Sequence, residues 1–141
     1  MPDWDPETFT KSLIADMRAN GGRPSSGPLA GKPLLILSST GAKTGEPRTA
    51  IASYHRDGAR YVIAASKGGS PENPAWYHNL IAHPDATIEV DNATIPVRAT
   101  EATGAERDRL WNDHVAALPE FGEYPARTDR IIPVLLIERV A

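Results

Sequence analysis

Cysteine is absent from the 141-residue chain. That excludes disulfides, thiolate metal sites and thiol nucleophiles together. It fits a reducing compartment, and a cytoplasmic location is the expectation. Any block of basic residues is also missing: 15 Lys and Arg stand against 18 Asp and Glu, for a net charge of −3. Such a balance argues against a nucleic-acid partner. No apolar stretch approaches the ~20 residues of a membrane span. The first residues, MPDWDPETF, lack the basic-then-apolar order of a secretory leader, so none is predicted.

Several catalytic signatures are missing too. A phosphate-binding P-loop needs Gly-Lys-Ser/Thr in that order and a helix after it. Here Lys43 and Thr44 precede Gly45, and a strand pattern follows. There is no Gly-x-Ser-x-Gly elbow for a covalent hydrolase. His78 and His83 lie too far apart to share a helix face, and no carboxylate cluster accompanies them, so no metal site is expected. His83 reads as a dipole or capping residue at a helix C-terminus. His55 and His114 fall in no motif.

What the chain does have is turn chemistry. Its 13 prolines and 11 glycines predict many short elements. Asp5 and Pro6 predict a first helix whose Phe9, Leu13, Ile14 and Met17 share one face, stopped by Asn20-Gly21-Gly22. Strands are predicted at LLIL (34–37), TAIASYH (49–55), RYVIAA (60–65), ATIEV (86–90), ATIPVRAT (93–100) and IIPVLLIE (131–138). Asp57-Gly58 and Asp91-Asn92 are hairpin signals, and Pro96 suggests an edge position or a bulge. Helices are predicted from Pro74 to about His83, and from a Thr103/Glu106 capping box to about Leu118. The reading is a mainly β, α+β fold: about six antiparallel strands in a small barrel, with an N-terminal helix and two inserted helices. Residues 1–28 form the helix and its linker, and residues 29–141 the barrel.

Two loops carry the chemistry. SSTGAKTGEPRT (38–49) crowds Lys43, Arg48 and two glycines into one turn. A solvated hairpin would look the same. So would an anion cradle, where glycines let N–H groups approach a ligand and Arg48 offers a bidentate fork. In AASKGGSPENPAWYHNL (64–80), Ser66 and Lys67 precede a helix start at Pro74 whose N–H groups and positive dipole end could meet an anion, although a Ser/Gly loop with a capped helix would look the same. Trp76 and Leu80, four apart, equally read as a core pair. Two cation-bearing loops with aromatics nearby suit a flat cofactor with a charged tail.

Together LLILSSTGAKTGEPRT, YVIAASKGGSPENPAWYHNL and TDRIIPVLLIE resemble the deazaflavin-dependent nitroreductase family over roughly residues 30 to 140. The resemblance implies a split β-barrel, like that of FMN-binding proteins, of actinobacterial type. It implies reduced coenzyme F-420 as the hydride donor to a quinone or nitro-bearing acceptor. Lys43, Thr44, Gly45, Pro47 and Arg48 would then hold the phosphate and glutamate tail. Ala64, Ala65, Ser66 and Lys67 would lie against the ring or ribityl chain, and Ala75, Trp76, Tyr77 and Asn79 would complete the cradle. Tyr124 or Ser66 would supply the proton-donating hydroxyl, although Tyr124 equally reads as a ring packed over the barrel mouth. Where members that activate nitro drugs carry tyrosines, this chain has Leu118, Phe121 and Ser53, with Tyr54 adjacent. That departure favours quinones. The alternatives are an FMN-dependent reductase of the same fold and a non-catalytic carrier of the deazaflavin or another ligand. The first helix either covers the barrel or makes a loose contact with the inner face of the cell membrane. The oligomeric state is left open.

Overall fold

In the computed structural model, described for residues 6–25, 33–66, 73–127 and 131–140, one seven-stranded antiparallel sheet curls into a split barrel. Its strands are β1 (Leu34–Thr40), β2 (Pro47–Ser53), β3 (His55–Asp57), β4 (Arg60–Ala64), β5 (Asp85–Val90), β6 (Ala93–Glu101) and β7 (Val134–Arg139). Their order across the sheet is β2-β1-β5-β6-β7-β4-β3. The two edge strands, β2 and β3, are therefore one continuous run of chain.

The run 49–55, expected as one strand, breaks at Tyr54. Ser53 still pairs with Leu34 of β1, but His55 pairs with Val62 of β4. Tyr54 falls between the two strands, with its N–H donating to the Pro33 carbonyl at 3.0 Å, one rung on in the β1–β2 register. Its ring is buried and meets Tyr61 edge-on at 5.5 Å. One residue thus carries the chain from one edge of the sheet to the other, which turns six expected strands into seven.

Alternation along the strands builds three layers. Leu35, Leu37, Ile63, Ile88, Leu135 and Ile137 fill the barrel with no measurable exposure. Each such burial stabilises by ~1.5–3 kcal/mol. Leu34 and Ile36 face outward, under α1 (Pro6–Ala19). Val62, Val134 and Leu136 also face outward, under α3 (Gly104–Ala117). The LLIL run is continuous because β1 is buried on both faces. A 3₁₀ segment, Pro119–Arg127, continues from α3 where a loop was expected. Its Phe121 packs with Leu118, Ala64 and Ile132.

Helix α1 starts at Pro6 and lays Ile14 and Met17 on Leu34 and Ile36, so the described part of its apolar face is spent on the barrel. The side chain of Phe9 and the whole of Asp5 lie outside the described residues. Arg18 forks onto Glu89 at 2.9 and 2.7 Å, fastening the helix to β5. Among the described residues, no helix is long and apolar enough to cross a membrane.

Three local expectations change. Pro96 sits in an inner strand, opposite Thr87 of β5. Its carbonyl accepts from Val140 just past the end of β7, so its missing N–H also points where the β6–β7 ladder has run out. Thr103 is the residue before α3, but its side chain makes no capping bond. Gly104 there is left-handed at φ +58, which departs from the path that lets the hydroxyl reach Glu106. The first hairpin turns on Gly58 and Ala59, leaving Asp57 as a strand residue opposite Arg60. The second behaves as expected: Asp91 and Asn92 both have positive φ, the two-residue type I′ pattern.

Gly21 and Gly22 end α1, with the Gly22 N–H donating to the Met17 carbonyl at 2.7 Å. Both have positive φ, but only Gly22 touches the β5–β6 turn, where a Cβ would stand 2.6 Å from Asp91 Cα. Gly21→Ala should cost ~1–2 kcal/mol, the price of a left-handed alanine. Gly22→Ala should cost ~1–3 kcal/mol more, because backbone must move. Urea unfolding of the two variants checks this, and equal midpoints would refute the close docking of the helix end.

Candidate functional site

The turn between β1 and β2 is held by its own backbone. Gly41 N–H donates to the Glu46 carbonyl at 2.8 Å, and Gly45 N–H to the Gly41 carbonyl at 2.9 Å. Gly45 has φ +71. A Cβ at Gly41 would stand 2.8 Å from Thr44 Oγ1, so this position has no room for a side chain unless Thr44 turns away. Thr44 Oγ1 accepts from the Glu46 N–H at 3.2 Å and from Arg48 Nη2 at 3.4 Å. Arg48 also lies 3.8 Å from Glu46, an exposed pair of little energetic weight.

A second element fixes this turn from outside. Asn79 is buried on α2 (Ala75–Ala82), and its Oδ1 accepts the Ala42 N–H at 2.9 Å across 37 residues of sequence. The two motifs that the sequence separates are joined by that bond. Helix α2 begins after Pro74, which gives no side-chain cap, and its Tyr77 N–H donates back to the Pro74 carbonyl at 3.1 Å.

Between turn and helix lies a cleft of about 480 Å³. Lys43, Thr44 and Arg48 line one side, and Ala75, Trp76 and Asn79 the other. Ala42 and Ala50 add small apolar surface, and polar atoms come from Ser39, which the sequence does not single out, and from His78, which it names only in setting a metal site aside. The missed residues had a readable signal: Ser39 and Ala50 lie at alternate positions of strands flanking the turn. The donor set, two cations and a hydroxyl at a helix start beside an indole ring, fits a flat ligand with an anionic tail.

A larger opening, about 650 Å³, lies between α1 and β2 and shares Arg48 and Thr49 with the first. It holds none of Lys43, Trp76 or Asn79, and the guanidinium of its Arg18 is already paired with Glu89. Composition rather than size decides, so the smaller cleft is the stronger site.

The other predicted residues fall elsewhere. Gly45 and Pro47 border a hollow on the β5 side of the turn. Ala65 points into the barrel, whereas Ala64 points outward to Leu118, Phe121 and Ile132. Ser66 is buried just past β4. Lys67 lies outside the described residues. Tyr77 turns its hydroxyl away, donating to Glu101 at 2.7 Å. Burial, and then that carboxylate, push its phenol up to about 12. Tyr124 packs its ring edge-on against Phe121 at 5.1 Å, on the outer side of β4.

Comparison with known proteins is consistent across sequence and fold. Residues 10–139 match the family model for F420H(2)-dependent quinone reductase. An F420H(2)-dependent quinone reductase of Mycobacterium tuberculosis is 45% identical over 112 residues, which cover 76% of this chain and 74% of that protein. The solved structure of an F420H(2)-dependent reductase superposes with a TM-score of 0.69 at 36% identity, covering 75% of this chain and 94% of that one. A solved domain-swapped dimer matches with a TM-score of 0.72 at 30% identity, over 95% of this chain and 100% of that one. A haem storage protein from Vibrio cholerae, at 15% identity and a TM-score of 0.56, shares the fold alone.

The bond from Ala42 to Asn79 generates a direct test. Asn79→Ala should cost about 1 kcal/mol of stability, the usual net value of a hydrogen bond. It should also speed amide exchange at Ala42 to Gly45. Asn79→Asp keeps an acceptor in place and should preserve slow exchange there. An alanine variant with wild-type exchange at Ala42 would show that the turn does not depend on the helix.

Proposed function

The chain belongs to the F420H(2)-dependent quinone reductase family, and from that premise we propose that the cleft between the β1–β2 turn and α2 holds reduced coenzyme F-420 and that the protein passes its hydride to a quinone-type acceptor. The observation that carries the reading is the Ala42–Asn79 bond, which brings Lys43, Thr44 and Arg48 to the same opening as Trp76. When bound, the deazaflavin supplies the hydride.

The chain's own work is binding, orientation and water exclusion. Lys43 and Arg48 neutralise the phosphodiester and carboxylates of the tail, with Arg48 steadied by Thr44. Trp76, Ala42, Ala50 and Ala75 offer apolar surface to the rings and keep water from it. Ala65 and Ser66 mark the end of β4, where the ring edge would meet the acceptor. Tyr124 stands on the segment packed over Ala64. Its hydroxyl or that of Ser66 would donate to the oxygen on which charge builds during transfer. Helix α1 with its linker, residues 1–28, is read as a cover on the cofactor-binding body, residues 29–141.

The cofactor assignment is tested at the turn. Lys43→Ala and Arg48→Ala should each weaken binding of oxidised F-420 by ~1–3 kcal/mol, the range for hydrogen bonds to charged groups. The loss should shrink at high salt, since exposed charges are screened. FMN should bind more weakly than F-420 and support slower quinone reduction. Unchanged affinity in a folded double variant, or equal turnover with FMN, would sink the assignment.

Acceptor choice follows from the residues around Tyr124. A nitro group presents two oxygens that both need donors, yet Leu118 and Phe121 are apolar and buried here. A fused-ring quinone gains instead from apolar burial, at ~25 cal/mol per Å2. Menadione-like quinones should therefore be reduced much faster than bicyclic nitroimidazoles. Tyr124→Phe should lower kcat more than it changes KM, as expected for a hydroxyl that acts in the transition state. Faster nitroimidazole turnover contradicts the first expectation, and an unimpaired Tyr124→Phe enzyme the second.

A further inference from the structure

His55 of β3 and His114 of α3 meet with their Nδ1 atoms 2.8 Å apart, and both rings are buried, His114 with no exposure at all. Among the described residues, neither Nε2 has a hydrogen-bond partner. Only one hydrogen fits between two Nδ1 atoms. In the neutral pair one ring carries its proton on Nδ1 and the other on Nε2. The pair therefore joins β3 to α3 with a single buried hydrogen bond. Beyond it the rings continue: His114 meets Phe121 edge-on at 4.4 Å, and Phe121 meets Tyr124 at 5.1 Å.

We propose that the His55–His114 pair is a positioning latch: it fixes α3 and the 3₁₀ segment, and through Phe121 the ring of Tyr124, against the barrel, and it weakens once a ring takes a proton, because the Nε2 that receives it is buried with no acceptor among the described residues. That turnover depends on this rests on the role proposed for Tyr124; the latch itself does not.

The charged groups around the pair are already committed. On β3, Arg56 lies over the Tyr61 ring at 4.3 Å, and Asp57 is bound by Arg60 and by Arg109. Those two arginines hold the Asp57 carboxyl down at about 2. On α3, Asp113 pairs with the same Arg109 at 3.3 Å, Glu106 lies 3.9 Å from Arg60, and Arg107 stands over Trp111. From the 3₁₀ segment the contact is the Phe121 ring, with Glu120 and Glu123 on the same segment and engaged in contacts of their own. Asp113 and Asp57 favour a charged His55 and Arg109 opposes it, but burial outweighs them and its pKa is lowered. Burial and then His55 push His114 down to about 3.

A released imidazole titrates near its ordinary 6.5, whereas latched His114 resists protonation down to about 3. The latch is therefore whole above pH 6.5 and weakens as pH falls through that window. For His114 alone, opening should rise about 25-fold between pH 7 and pH 5, with His55 adding to it.

Hydrogen exchange of the wild-type chain at pH 7 and pH 5, expressed as protection factors, reads this directly. Residues 104–118 should lose at least 25-fold in protection at pH 5, while 34–40 and 134–138 keep theirs. Quinone turnover should fall with the protection of α3, and F-420 affinity should hold. Unchanged protection of α3, or equal loss in all three segments, would overturn the latch. A folded variant carrying both His55→Asn and His114→Asn should lose the pH dependence, and keeping it would assign the effect to other groups. Lost protection with unaltered turnover would leave the latch standing and reject the role of Tyr124.

Discussion

Because β2 and β3 are the two edges of one sheet and are separated only by Tyr54, the sheet has to curl until its ends meet. No loop length is available to relax this constraint. The β1–β2 register reaches one rung further, to the Tyr54 N–H on the Pro33 carbonyl, and the very next residue, His55, already pairs with Val62 of β4. Curling creates an inside, filled by Leu35, Leu37, Ile63, Ile88, Leu135 and Ile137. It also leaves two apolar outer faces, which α1 and α3 must cover. The helices are thus consequences of strands buried on both sides.

The same closure sets the site. The turn leading into β2 projects at the sheet edge, where nothing in the sheet itself would order residues 41–46. Order comes from the turn's internal bonds and from Asn79 of α2, which lies over the end of β1. Cations on an exposed turn are ordinary. Cations on a turn tied to a helix start and a tryptophan are held in advance, as the proposed cofactor seat requires, since less ordering remains when a ligand binds. Elsewhere, α3 and the 3₁₀ segment rest on β4 and β3, and a pair of buried histidines sits at their contact.

Local chemistry made the fold class, both helix-bearing insertions and the two cation-bearing loops legible in the sequence. LLIL, Asp91-Asn92 and Asn20-Gly21-Gly22 each act within a few residues. Non-local pairing was not legible. TAIASYH reads as one strand because nothing in its own residues says that Ser53 and His55 find partners at opposite edges. Pro96 reads as an edge residue because the sequence does not show where β7 stops. Thr103 and Glu106 spell a capping box, yet Gly104 between them takes a left-handed path. In the site, Lys43, Thr44, Arg48, Ala75, Trp76 and Asn79 were named from motif and resemblance, and they do line one cleft. Tyr77 was named with them, but its hydroxyl belongs to Glu101. His55 and His114 carried no signal at all, since 59 residues separate them and neither has a motif around it.

The central claim is that the turn and α2 together form the seat of the cofactor. A crystal structure of the chain with oxidised F-420 tests it most directly. The account predicts the phosphodiester within hydrogen-bond reach of Lys43 and Arg48, and the deazaflavin against Trp76 with its reactive edge toward Ala65 and Ser66. Density for the phosphodiester and ring confined to the opening between α1 and β2, with the Lys43–Asn79 cleft left to solvent, would contradict it.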